Sequence, residues 1–139
     1  MNQQLLGFYR QSSYREIPGP RSDPGLLAMI RRWVPWAKDD STTAWCAILR
    51  AEAAKVTGSS LPQRPFRALS WLTVGEHVPL AEALPGDTVI LDRGKGRGHL
   101  GLYLWHDATR ICLIGGNQRN RVCEDPCDIA DLLGIRRFS

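Results

Sequence analysis

Cys46, His99 and Asn117 are the residues whose types and spacing could perform chemistry in this chain. Cys46 stands in Trp45-Cys46-Ala47, where a polar stretch gives way to an apolar helical pattern, so we expect its thiol in the first turn of a helix. There the helix dipole and unpaired backbone N–H groups favour the thiolate, the nucleophilic form of cysteine. With a histidine base and an orienting polar residue, Cys46 would be the nucleophile of a cysteine hydrolase. Without them, it is a small buried apolar residue.

Two predicted strands, residues 99–106 and 110–117, supply the base and the orienting residue. If the hairpin turns on three residues centred at Ala108, His99 lies directly opposite Asn117. Cβ atoms of such a pair are about 4.5–5.5 Å apart, which lets an asparagine hold an imidazole by a hydrogen bond. A glycine pair next to them would leave room for another backbone or a substrate. The same register predicts the pairs Gly101–Gly115, Leu102–Ile114 and Leu104–Cys112.

The elements around these residues predict an α+β domain, with helices first and an antiparallel sheet second. Residues 93–98 are rich in glycine but lack the lysine and hydroxyl ending of a phosphate-binding loop, so we interpret them as a flexible hairpin loop. Helical spacing predicts helices over 26–36, 45–57, 66–72 and 128–133. Alternation predicts strands over 88–91, 99–106, 110–117 and 134–138, with Val122 in a further strand.

Length and composition predict one soluble globular domain over residues 1–139, which in the hydrolase interpretation is a single catalytic domain. The net charge is +4, and only three of the 18 basic residues are lysines. Such a balance suits an anionic partner, although a composition bias of the genome explains it equally well. The arginines are spread along the chain rather than clustered, which argues against a nucleic-acid binder. The sequence shows no signal peptide and no apolar run long enough for stable membrane insertion, so we expect synthesis in the cytoplasm.

The remaining titratable residues predict neither a metal nor another cofactor. Cys123 and Cys127 have the spacing of half a zinc site, but no second closely spaced pair of Cys or His completes it. A glycosidase would need two facing carboxylates, and no such pair stands out. Cys112 falls on the core face of its strand, and the two later cysteines receive no role.

Six blocks of this sequence stand in a familiar order and spacing: Trp45-Cys46-Ala47, Arg67-Ala68-Leu69-Ser70-Trp71-Leu72, Pro85-Gly86-Asp87, Gly98-His99-Leu100-Gly101-Leu102-Tyr103, Gly115-Gly116-Asn117-Gln118 and Leu133-Gly134-Ile135-Arg136. They resemble a family of small phage- and bacteria-encoded proteins related to the CHAP and NlpC/P60 peptidoglycan hydrolases. The resemblance implies a papain-like fold and cleavage of amide bonds in peptidoglycan, without the calcium loop of some CHAP domains.

The resemblance also implies roles for single residues. Cys46 is the nucleophile, His99 the base and Asn117 the orienting residue, a place that a glutamate takes in some CHAP relatives. The backbone N–H of Cys46 would stabilise the oxyanion, with Asp40 or Ser41 shaping that side. The candidates for substrate contact are Trp45, Trp71, Tyr103 and Gln118. Core packing of the tryptophans, and a place for Gln118 at the start of the next strand, are the alternatives.

Several readings of the function stay open at this point. The main alternative to a hydrolase is a non-catalytic module of the same fold that binds the cell wall as part of a phage tail or toxin. An enzyme would act in the periplasm or outside the cell after phage- or secretion-assisted export. A phage endolysin, a tail enzyme and an injected effector are all compatible with the sequence. A delivery partner or an immunity protein would then accompany it. The bond that is cleaved also stays open.

Overall fold

The computed structural model describes residues 1–16, 22–40, 44–118 and 120–139. Three helices come first: α1 (Asn2–Gln11), α2 (Pro24–Trp33) and α3 (Cys46–Thr57). A short 3-10 segment, Ala68–Thr73, leads into the sheet. Its strands are β1 (Glu76–His77), β2 (Thr88–Gly94), β3 (Arg97–His106), β4 (Arg110–Gln118), β5 (Arg121–Asp128) and β6 (Leu132–Arg137). The predicted α+β class, with helices before an antiparallel sheet, is therefore confirmed.

The six strands form one antiparallel sheet in the order β1-β6-β2-β3-β4-β5. Strands β2 to β5 follow one another through hairpins, and β6 returns to pair with β2. The turn between β2 and β3 consists of Lys95 and Gly96, both with positive φ, which is typical of tight hairpin turns. The predicted flexible loop over residues 93–98 is therefore mostly strand with a two-residue turn.

Local signals explain where α2 and α3 begin and end. The Asp23 side chain accepts a hydrogen bond from the Leu26 N–H, and Pro24 occupies the first turn of α2, where its missing N–H costs nothing. Helix α3 begins at Cys46, as predicted, and ends at Gly58, which has a φ of 79°. The sequence also predicts N-cap candidates for α3 within residues 38–43 and a loop over residues 18–25. Of these, residues 41–43 and 18–21 lie outside the described residues.

The helices cover one face of the sheet. Ile90, Leu100, Leu102 and Ile114 point from the strands into two core clusters shared with the helices. Alternate residues on the same strands, including Val89, Leu91 and Leu113, form a smaller cluster on the other face. The predicted alternation of the β3 leucines toward the core is confirmed, since Leu104 also packs on the helix side.

A buried carboxylate ties the N-terminal helix to the end of the sheet. Asp87 has no exposed surface, and its two oxygens accept hydrogen bonds from Arg137 Nε and Nη2, each at 2.8 Å. The Asn2 side chain and the Leu84 backbone N–H donate to the same carboxylate at 2.9 and 2.8 Å. Burial opposes ionisation of Asp87, but these donors outweigh it and hold the pKa of the carboxyl below its usual value.

Other element predictions were close but not complete. The predicted helices over 66–72 and 128–133 are the 3-10 segments Ala68–Thr73 and Ile129–Asp131, and Val122 lies in β5 as predicted. Helix α1 and the two-residue strand β1 were not predicted from the sequence. Within the described ranges, no helix is long and apolar enough to cross a membrane.

Candidate active site

The His99 imidazole is held by Gln118, the residue after the predicted partner. His99 Nε2 lies 2.7 Å from Gln118 Oε1, and both residues are buried. The amide nitrogen of Gln118 donates to two backbone carbonyls, those of Cys123 at 2.6 Å and Leu113 at 3.3 Å. Gln118 therefore joins strands β4 and β5 and presents its oxygen to the imidazole.

These hydrogen bonds determine the tautomer of His99. Because the Gln118 nitrogen faces two carbonyl oxygens, its oxygen must face the imidazole, and Nε2 of His99 must donate the proton. In the neutral ring the other nitrogen, Nδ1, is then an acceptor. A histidine in this state can take a proton from a thiol through Nδ1.

The β3–β4 ladder does not contain the predicted His99–Asn117 pair, and the partner of the imidazole is Gln118 instead of Asn117. Strand β3 does pair with β4 as predicted at Leu102–Ile114, but the ladder starts there and does not reach His99. Asn117 has a φ of 60°, in the left-handed region, and the register of β4 with β5 shifts between Gly115 and Gln118. This irregularity places Gln118, in the position after Asn117, against the imidazole.

A second irregularity changes the predicted pair Leu104–Cys112. The register of β3 and β4 shifts between Tyr103 and Trp105, so Cys112 lies opposite Trp105 rather than Leu104. The space at Gly115 is occupied by the protein itself: a Cβ there would be 3.2 Å from both Gln118 Oε1 and the Leu100 carbonyl oxygen. Gly101 likewise faces the carbonyl oxygen of Ile114 at 2.9 Å. The glycines make room for backbone and for Gln118, not for substrate.

Cys46 is the first residue of α3 and only 4% exposed. Burial raises the pKa of its thiol above the ordinary value. Hydrogen bonds from the Leu100 and Ala47 backbone and the positive charge of Arg93 act in the opposite direction without outweighing burial. The expected net shift toward thiolate is therefore wrong, because desolvation exceeds the effect of the helix start.

His99 is also biased toward its neutral form. Burial lowers the pKa of the imidazole, and the charge of Arg93 lowers it further, while the Gln118 oxygen and Asp125 act in the opposite direction. Both shifts favour the neutral thiol and the neutral imidazole over the ion pair.

Cys46, His99 and Asn117 all line one cavity of about 600 Å³, so the structure brings the three predicted catalytic residues to the same place. A second cavity next to it shares the wall residue Ala44 and carries Trp36 and Phe66, whose rings meet edge to face at 6.0 Å. The other described lining residues of the first cavity are Ala44, Arg67, Ala68, Leu69, Arg93, Gly96, Arg97 and Gly98.

The four residues predicted to contact substrate lie away from the cavity lining or have another role. Trp45 and Trp71 are fully buried in the core; Trp45 fills the space beside Gly116, where a Cβ would come within 2.7 Å of its ring. Tyr103 belongs to the cluster on the opposite face of the sheet, and its hydroxyl bonds His106 Nδ1 at 2.7 Å. Gln118 holds His99. The described lining of the cavity includes none of these four.

Sequence reasoning missed the three arginines of this cavity, Arg67, Arg93 and Arg97. The last two flank the glycine-rich turn, so a hairpin prediction alone could have brought them close to each other and to His99. Arg67 is more than 20 positions away in the chain, and no local pattern connects it with the hairpin.

Asp40 is not among the described residues that line the cavity. It is 1% exposed, and its Oδ2 accepts a hydrogen bond from the Asp23 N–H at the start of α2. Ser41, the other residue suggested for the oxyanion side, lies outside the described residues. Among the residues that the structure describes, no group of three or more His, Cys, Asp or Glu side chains is placed to hold a metal ion.

A scan against protein-family models finds no match to this chain. A search of the curated proteins finds no significant relative.

Proposed function

We propose that the protein is a cysteine hydrolase that cleaves amide bonds of bacterial peptidoglycan, with the papain-like arrangement that the sequence resemblance implies. The observation that carries the proposal is the tautomer of His99. Gln118 fixes the proton on Nε2 and leaves Nδ1 as the acceptor, in a cavity whose wall His99 shares with Cys46. A thiol at a helix start, a base of defined tautomer and an orienting amide are the parts of a cysteine triad.

The proposed reaction starts from the neutral pair. His99 Nδ1 takes the Cys46 proton as the sulfur attacks the amide carbonyl, and Gln118 stabilises the imidazolium through Nε2. The N–H groups in the first turn of α3 have no helical partner and can donate to the oxyanion. The C–N bond then breaks, and His99 returns the proton to the leaving amine. Water, deprotonated by His99, attacks the thioester carbonyl. The C–S bond then breaks, the acid is released, and His99 returns the proton to the Cys46 sulfur.

The role of Gln118 replaces the one that the resemblance implied for Asn117. A glutamine can hold an imidazole as an asparagine does, because both offer an amide oxygen at the end of the side chain. Asn117 lines the cavity instead. Trp36 and Phe66 in the neighbouring cavity suit an extended polymer better than a single small molecule.

The experiment that tests this proposal is mass analysis of purified peptidoglycan after digestion. We expect new peptide or amine ends with the native protein and a loss of at least about a thousandfold in rate with Cys46→Ala. The matched control is Cys112→Ala, because Cys112 is equally buried, at 5% exposure, but does not line the cavity. Circular dichroism spectra and unfolding curves would establish that both variants fold.

Undiminished release of ends by Cys46→Ala would overturn the proposal. Binding of native protein to peptidoglycan with no new ends would favour the second candidate, a non-catalytic wall-binding module. The raised pKa of the buried Cys46 thiol is the observation that favours this candidate.

A further inference from the structure

The cavity that holds Cys46 and His99 is bordered by positive charge. Arg67, Arg93 and Arg97 line it, and its described lining residues include no Asp or Glu. All three arginine side chains are exposed. A guanidinium stays protonated at every pH at which a protein is folded, so this border is positive under all working conditions.

The fold holds the three arginines in defined places. Arg93 and Arg97 stand on either side of the two-residue turn between β2 and β3, with Arg97 paired to Gly94. Arg67 precedes the 3-10 segment Ala68–Thr73 on another wall of the cavity. Leu69 of that segment packs against Gly98, where a Cβ would come within 2.8 Å of it. The two walls are therefore packed directly on each other.

We propose that these arginines bind free carboxylates of the substrate close to the scissile amide, so that the preferred substrate is an acidic peptide. This inference rests on the proposed hydrolase function. A guanidinium is planar and carries several donors, which makes it a good partner for carboxylates in bidentate geometry. Unamidated stem peptides of peptidoglycan carry such carboxylates, and amidated ones have lost some of them. The three arginines would then determine specificity, while Cys46 and His99 perform the chemistry.

The test uses two synthetic stem peptides that differ at one position, a free carboxylate in one and a carboxamide in the other. We expect kcat/KM for the free acid to be at least about tenfold higher, mainly through KM, because one charge-assisted contact is lost in the amide. Arg67→Gln, Arg93→Gln and Arg97→Gln should each reduce this preference, with the largest single loss about three- to tenfold. The matched control is Arg10→Gln, an exposed arginine of α1 that does not line the cavity.

Equal kcat/KM for the two peptides, or a preference that survives all three arginine substitutions, would overturn the inference while leaving the hydrolase proposal intact. Calorimetric titration of the Cys46→Ala protein with the same peptides separates the two ideas. Preferential binding of the free acid that depends on the arginines would support the inference even if no peptide is cleaved. Tighter binding of a DNA or RNA oligonucleotide than of the acidic peptide would overturn it.

Discussion

Two buried polar networks, one around Asp87 and one around Gln118, are both built from side-chain and backbone hydrogen bonds. They differ in charge and in whether every polar atom has a partner within the network. Asp87 accepts four hydrogen bonds from Asn2, Leu84 and Arg137, and its negative charge is matched by the guanidinium. Gln118 makes three hydrogen bonds, to His99, Leu113 and Cys123, and carries no charge. The first network is closed. The second leaves one nitrogen of its histidine available.

The difference shows how the same kind of interaction serves stability in one place and would serve chemistry in another if the proposed hydrolase function holds. The Asp87 network joins segments more than 80 residues apart in the chain, and every oxygen of the carboxylate has donors. The hydrogen bonds of the Gln118 amide keep this side chain from rotating freely, but they fix only the Nε2 side of the His99 imidazole. A fully satisfied network rigidifies the fold, whereas a network with one free acceptor positions a base.

The largest expected effect comes from disrupting the Asp87 network. Asp87→Asn removes the negative charge that pairs with Arg137. It also places an NH2 group, which is a donor, against groups that are themselves donors. We therefore expect the free energy of unfolding to fall by about 3 kcal/mol. Denaturant unfolding measures this loss. The control is Asp92→Asn, which removes a carboxylate from an exposed site. A loss below about 1 kcal/mol for Asp87→Asn would contradict the structural role assigned to it.

The contribution of Asp87 to stability depends on pH. The folded pKa of Asp87 lies below its ordinary value of 3.8, so its contribution is fully present above pH 3.8 and is lost as the pH falls through the folded pKa. The difference in stability between the native protein and Asp87→Asn should therefore shrink in acid, below pH 3.8.

The next effect comes from removing the open network. Gln118→Ala leaves His99 without its partner, and we expect kcat/KM on peptidoglycan peptides to fall by about a hundredfold. The matched control is Asn117→Ala, for which we expect a change within about threefold. Unfolding curves at the assay temperature would show that both proteins are folded. The opposite ranking of the two variants would return the orienting role to Asn117.

The smallest effect concerns the pH profile of the proposed hydrolase activity of the native protein. Because the pKa of His99 lies below its ordinary value of 6.5, the neutral imidazole is already the major form at that pH. We expect kcat/KM to change less than about twofold between pH 6.5 and 8 and to fall only in more acidic solution. In Gln118→Glu, a carboxylate beside Nε2 would favour the imidazolium and move this fall to higher pH. A native profile that is half-maximal near pH 7 would contradict the bias toward neutral His99.

Patterns local in the chain predicted much of the fold. Apolar spacing located α2 and α3, and Gly58 marked the end of α3 correctly. Alternation located β2, β3 and β4 to within a few residues. Helix α1 was missed, although its Leu5, Leu6 and Tyr9 are buried, since neither a capping signal nor an acidic first turn marks its start.

Local patterns also predicted part of the candidate site. The sequence by itself determined which residue types could react, Cys46 and His99, and that a polar side chain from the following strand should approach the imidazole. Only the tertiary structure decided that this side chain is Gln118. Asn117 has a left-handed conformation, and the register of β4 with β5 shifts at this point, which the alternation of residues along a strand does not predict. It also decided the burial of Cys46, which raises the pKa of the thiol against the effect of the helix start, and it brought Arg67 to the cavity through contacts distant in the chain.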